Sequence, residues 1–144
     1  MNIFSKTLVT GLIVMAGIAA AKEGVQDPTV KARQELMGTI GMSVKALGDM
    51  AGGKVAYEAT TAAAAKAALV AASAEIATKF EPQATDPVAE AKPEVWTNWE
   101  DFVIKANALT AAATAIDATS AEGIGAGMGA IGGACKDCHS TYRM

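Results

Sequence analysis

Near its C-terminal end the chain reads Cys135-Lys136-Asp137-Cys138-His139, and these are its only two cysteines and its only histidine. A C-x-x-C-H run is the attachment signature of a c-type haem. The chemistry demands that spacing. Two thiols three residues apart add across two vinyl groups of one porphyrin, and the adjacent imidazole of His139 offers a nitrogen to the iron. Three other uses of the pair fit less well. A structural zinc site wants four nitrogen or sulfur ligands, one more than Cys135, Cys138 and His139 supply. A thioredoxin-type redox pair expects a β-α-β surrounding, and no alternating or β-branched run precedes this one. A plain disulfide would leave the single histidine beside the second cysteine by accident. The fold must therefore enclose a flat macrocycle tethered close to its C-terminal end.

Composition agrees with a cofactor-filled interior. Apolar residues make up 51% of the chain but aromatics only 5%, and alanine carries much of the difference. Small side chains bury little area each, so the core needs a larger filler, and a porphyrin is one. The formal net charge is −3 and becomes one unit more negative if Lys6 is removed with a leader. Nucleic acid is excluded as a partner for such a surface.

A leader is expected. Met1 to Lys6 is short and basic, Thr7 to Gly17 is apolar, and Ala19-Ala20-Ala21 offers small residues for cleavage. This is the pattern of a secretory signal peptide over residues 1–21, with an apolar run too short to span a bilayer comfortably. Residues 22–144 then form one domain by length, exported and without stable membrane insertion after cleavage.

Four helical segments follow. Asp27-Pro28 reads as an N-cap and a first-turn proline, and Gly52-Gly53 as a stop. Between them Val30, Arg33, Met37, Ile40, Val44 and Leu47 recur at steps of three and four, one face of a helix. Arg33 is the odd member: its stem either snorkels along the stripe or it faces a haem pocket. A second helix is expected from about Thr60 to Lys79, with Leu69, Ser73, Ile76 and Phe80 on one side. Residues 81–92 carry two prolines without periodicity and read as a loop. A third helix is expected from about Pro93 to Ala118, with both tryptophans as packing residues. The fourth runs from Thr119 or Ser120 to Tyr142. On it Ile124, Met128, Ile131, Cys135 and Cys138 share the inward stripe, so both thiols point into the interior. Six glycines between Gly123 and Gly133 cost about 1 kcal/mol each relative to alanine. Either part of this stretch is loop, or the glycines admit another helix or the macrocycle. Four amphipathic segments with short connections predict an all-α, antiparallel four-helix bundle with a covalently bound haem.

The ending Cys135-Lys136-Asp137-Cys138-His139-Ser140-Thr141-Tyr142-Arg143 resembles the C-K-x-C-H-x-x-Y-R ending of the cytochrome c-prime family, the class II c-type cytochromes. Arg33-Gln34-Glu35-Leu36-Met37 also resembles that family's first-helix start and distal-face residue. The resemblance spans essentially residues 22–144. Motif position matters, because class I cytochromes c carry C-x-x-C-H near the N-terminus instead. The resemblance implies one haem c per chain, a periplasmic location and a homodimer through the first two helices. It also implies a sixth coordination position that is either empty and gas-binding or filled by a methionine sulfur. Met37 stands at that position, and Arg33 matches a residue near the haem.

Two functions remain in view. The first is a monohaem electron carrier, with His139 and Met37 as axial ligands and redox proteins as partners. The second is a high-spin, five-coordinate protein that binds nitric oxide or carbon monoxide, with Met37 guarding the distal face. An enzyme is disfavoured, since His139 is committed to iron and no other histidine exists to act as acid or base.

Overall fold

The computed structural model describes residues 20–144, so the expected leader lies outside the described residues apart from its last two positions. The first helix starts where its cap predicts. The Asp27 carboxylate accepts from the N–H of Thr29 at 2.8 Å and of Val30 at 3.0 Å, and Pro28 opens α1 (Pro28–Ala51). Gly52 ends it, and Gly53 turns the chain with φ +69°, a conformation that costs glycine little. Glu58 caps α2 (Ala59–Ala74), and Ser120 caps α6 (Ala121–Tyr142) by accepting from the Gly123 N–H at 3.0 Å. Between them lie α3 (Ile76–Phe80), α4 (Glu94–Thr97) and α5 (Trp99–Ala115).

Two expected helices are broken, the second by a local tightening and the third at a residue with a partner far along the chain. The second divides at Glu75, whose N–H reaches the Ala72 carbonyl at 3.1 Å, a tighter turn than an α-helix makes. The third divides at Asn98 (φ −126°, ψ 47°), whose side-chain amide donates to the Tyr142 hydroxyl at 2.9 Å. It also ends three residues early. Ile116 leaves the helix in an extended conformation and buries its side chain almost completely, while Lys66 Nζ donates to its carbonyl at 2.6 Å.

The long helices close a ring: α1 packs on α2 and α6, and α5 packs on α2 and α6. The result is the expected all-α antiparallel four-helix bundle, with α3 continuing α2 against α1 and α5. Its most buried large side chains are Leu47, Leu69, Val95, Ile116, Ile124 and Ile131. The stripes expected on the first, second and fourth helices contain Leu47, Leu69, Ile124 and Ile131. The glycine-rich stretch is helical throughout. A Cβ at Gly127 would stand 2.9 Å from Ile116 Cγ1, and one at Gly123 would stand 2.7 Å from the Asp117 carbonyl oxygen. Close approach thus explains two of the glycines, whereas Gly129, Gly132 and Gly133 face open space. Among the described residues no helix is long and apolar enough to cross a membrane.

Candidate functional site

The inward stripes of α1, α5 and α6 do not meet everywhere. Between them is a cavity of about 430 Å³, within the range of cofactor sites. Ile40 and Val44 wall it from α1, Ile76 from α3, Ala106 and Leu109 from α5, and Cys135, Cys138 and His139 from α6. Steps of three on α6 bring both thiols to the same opening, as the sequence predicts. They are free and half-buried. Burial pushes both thiols above their ordinary range. Burial also lowers the affinity of His139 for a proton, and the Arg143 guanidinium adds to this while Glu90 opposes it. A neutral imidazole keeps a lone pair for a metal.

A second cavity of about 80 Å³ is lined by Phe80, Val95, Phe102 and Tyr142. It shares Met37, Glu90, Cys138, His139 and Arg143 with the first. The Met37 side chain from α1 and the His139 side chain from α6 therefore border the same two spaces.

Arg33 does not join them. Expected at a haem pocket, it lines neither cavity, and it does not snorkel either, being only 4% exposed. Its Nε donates to the Lys79 carbonyl at 3.0 Å, and its Nη2 donates to the Pro82 carbonyl. The guanidinium sits 5.1 Å from the ring centres of both Phe80 and Trp96. It acts on the end of α3, where unpaired carbonyls need donors.

The C-terminal turn of α6 is fixed from two sides. The Tyr142 hydroxyl donates to Asp101 Oδ2 at 2.6 Å, and its ring meets Phe102 edge-on with centroids 5.3 Å apart. Burial and the Asp101 carboxylate push the phenol up to about 12. On the other side the Lys92 N–H donates to the Tyr142 carbonyl and the Met144 N–H to the Glu90 carbonyl, both at 2.9 Å. Ala91 thereby pairs with Arg143 as an isolated antiparallel bridge. Lys105 on α5 reaches Asp137, inside the C-x-x-C motif, at 2.6 Å. That hydrogen bond raises the Lys105 pKa above its ordinary value.

Sequence reasoning missed Glu90 and Lys105. Glu90 lies in a loop without periodicity, and Lys105 is a charge on a helix that otherwise reads as amphipathic. Both face the cavity mouth together with Lys22 and Arg143. Apolar walls, two thiols on one opening, a neutral imidazole and cations at the rim fit a haem with its propionates. Cys135 and Cys138 would hold such a group and His139 its iron, with Met37 the thioether bordering the same space. Among the described residues no cluster of three or more His, Cys, Asp or Glu side chains could hold a metal ion by itself.

Known proteins are similar over the same residues. A family model described as Cytochrome C' matches residues 28–143. Cytochrome c-556 of Agrobacterium tumefaciens (strain apple 185) is 36% identical over 120 residues, covering 81% of this chain and 94% of that protein. The crystal structure of cytochrome c' from Rubrivivax gelatinosus matches with a TM-score of 0.71 and 30% identity, over 81% of this chain and 97% of that one. A nitric oxide complex of a cytochrome c prime variant from Alcaligenes xylosoxidans matches with a TM-score of 0.71 and 26% identity, over 80% and 93%. On the match across residues 28–143, the chain belongs to the cytochrome c' family, and like that family it carries one covalent haem c.

Proposed function

We propose that the protein is a periplasmic electron carrier, with haem attached at Cys135 and Cys138, His139 as proximal iron ligand and Met37 as sixth ligand. The observation that carries this reading is that Met37 and His139 border the same two cavities, from α1 and α6 respectively. A thioether is flexible enough to reach a metal, and a Met/His axial pair raises the potential of haem iron. The haem, when bound, supplies a one-electron couple. The chain's own residues do the rest: Ile40, Val44, Ile76 and Leu109 exclude water, and Lys22, Lys105 and Arg143 place positive charge at the rim. Redox proteins are the partners, and α1 and α2 are the faces for a homodimer.

The test is the visible spectrum. The oxidised protein is expected to be low-spin at neutral pH, and Met37→Ala to convert it to a high-spin form that binds carbon monoxide when reduced. A wild-type oxidised spectrum already high-spin, with prompt carbon monoxide binding after reduction, would transfer the function to the second reading. That second reading is a gas-binding protein with five-coordinate iron, in which Met37 shields the distal face. The structural similarity to a nitric oxide complex of a cytochrome c prime variant favours it.

A further inference from the structure

The chain has two tyrosines, and their hydroxyls meet different kinds of acceptor. Tyr57 donates to the Ala118 carbonyl at 2.9 Å, a neutral group that takes a hydrogen bond but not the proton itself. Tyr142 donates to Asp101 Oδ2 at 2.6 Å, the length of a hydroxyl hydrogen bond onto an ionised acceptor. Asn98 Nδ2 donates to the same phenol oxygen at 2.9 Å, which leaves the phenolic hydrogen for Asp101. Tyr142 is buried, so the base within its reach is a carboxylate and not bulk water.

The place of that phenol gives it a second property. Tyr142 follows Cys138 by four residues and His139 by three, so it shares their side of α6. All three border the cavity of about 80 Å³, whereas Tyr57 borders neither cavity of the haem site. On its far side the Tyr142 ring meets Phe102 edge-on at 5.3 Å, and Phe102 stacks on the partly exposed Trp99 at 5.4 Å. A line of rings therefore runs from the haem site to the surface. Trp96 is a poorer electron donor than Trp99, because the Arg33 guanidinium sits 5.1 Å from its ring centre and a cation there opposes loss of an electron.

Taking an electron from a buried phenol would leave a positive charge, which is costly in a low-dielectric interior. Passing the phenolic proton to Asp101 removes that cost, since a neutral phenoxyl then lies beside a neutral carboxylic acid. We infer that Tyr142 is a redox-active tyrosine, which gives one electron to the haem after reaction with hydrogen peroxide while Asp101 takes its proton. Peroxide and two protons from solvent take up two electrons and become two waters. One electron comes from the haem and the other from Tyr142. An electron from an external reductant, arriving through Trp99 and Phe102, restores the phenol as Asp101 returns the proton. The inference rests on the haem attachment at Cys138 proposed for this chain, and not on the identity of the sixth ligand.

The test freezes the haem-loaded ferric protein after mixing with hydrogen peroxide and reads organic radicals by electron paramagnetic resonance. Wild type and Met37→Ala are both used, so that a sixth ligand does not bar peroxide from the iron. A radical signal is expected that narrows when the tyrosines are ring-deuterated and does not when the tryptophans are. Tyr57→Phe should keep it and Tyr142→Phe should lose it, with faster bleaching of the haem. Asp101→Asn is the decisive variant if Tyr142→Phe fails to hold haem: an amide still accepts the hydrogen bond but is no base, so the signal should be lost with the phenol in place. Trp99→Leu should lengthen the life of the signal in ascorbate. A signal that survives in Tyr142→Phe, or at wild-type yield in Asp101→Asn, overturns the inference, as does the absence of any tyrosyl signal in both wild type and Met37→Ala. An unchanged lifetime in Trp99→Leu overturns the route through the rings. Release of haem by acid and acetone would instead overturn the attachment on which the inference rests.

Discussion

The phenol of Tyr142 donates to Asp101 Oδ2 across 2.6 Å and accepts from Asn98 Nδ2 at 2.9 Å, so the last residue of α6 is tied to the first turn of α5. Tyr142 is 3% exposed. Replacing it with phenylalanine keeps the edge-on contact with Phe102 but leaves a carboxylate and an amide short of a partner. A hydrogen bond to a charged group contributes about 1.5–3 kcal/mol. Tyr142→Phe is therefore expected to lose about 2 kcal/mol in urea unfolding of the haem-loaded protein, with the visible spectrum unchanged. A loss below about 0.5 kcal/mol would show that water replaces the hydroxyl.

Arg33 makes the second prediction, because its place in the fold is structural. Its removal strips donors from the Lys79 and Pro82 carbonyls and opens the space between Phe80 and Trp96. Arg33→Ala should cost about 3 kcal/mol, and Arg33→Lys should recover only part, since an ammonium lacks the planar fork that spans both carbonyls. The haem spectrum should stay as in wild type. A changed spin state in Arg33→Ala would return this residue to the haem pocket.

The features legible in the sequence are those fixed locally. Asp27 and Ser120 announce their helices because a capping side chain acts within three residues. The stripe on α6 carries Cys135 and Cys138 to the cavity because helical spacing alone sets which residues share a face. Other features depend on partners far along the chain. The break at Asn98 answers to Tyr142, the early end of α5 to Lys66, and the burial of Arg33 to a loop fifty residues on. Glu90 is the clearest case, since its meaning comes from Arg143 and Lys22. No local periodicity marks such a residue. The glycines of α6 sit between: close approach is real at Gly123 and Gly127, but nothing distinguishes them by sequence from Gly129, which faces open space.

Acid stability follows from several carboxylates that are hydrogen-bonded in the fold. Glu58 is held at about 2, against an ordinary 4.5, by the Thr61 hydroxyl and then the N–H groups of Thr60 and Thr61. Asp86 is lowered by the N–H groups of Asp27, Val88 and Gln26, and Asp117 by the hydroxyl and N–H of Thr119. A carboxylate with a depressed folded pKa contributes stability above its unfolded value and loses it as pH falls toward the folded one. Stability should therefore be flat above about pH 5 and fall between about 4.5 and 2. At the other end, Tyr142 is raised to about 12 from 10.0, so its contribution is complete below 10 and declines as pH rises through that interval. Urea midpoints across pH measure both limbs. Glu58→Gln should flatten the acid limb, and an unchanged limb would assign the loss to other groups.

The last prediction concerns processing and attachment together. If cleavage follows Ala21, the mature chain begins at Lys22, whose backbone nitrogen donates to Gln34 Oε1 at 2.7 Å. An α-ammonium at that position is still a donor, so the contact survives cleavage. The Lys22 side chain keeps its bond to Glu90 as well. Attachment has only two thiols available, Cys135 and Cys138, both free and on one cavity. The protein isolated from the periplasm of cells competent in haem attachment should therefore have the intact mass of residues 22–144 plus one haem. Denaturation in acid and acetone should leave the haem on the chain, since thioethers resist conditions that release a coordinated group. Cys135→Ala should keep one thioether and Cys135→Ala with Cys138→Ala none, the second losing its haem to solvent. A mass equal to the bare polypeptide less two hydrogens would mean a disulfide instead, and a chain that retains residues 1–21 would place the protein on the membrane as an anchored form.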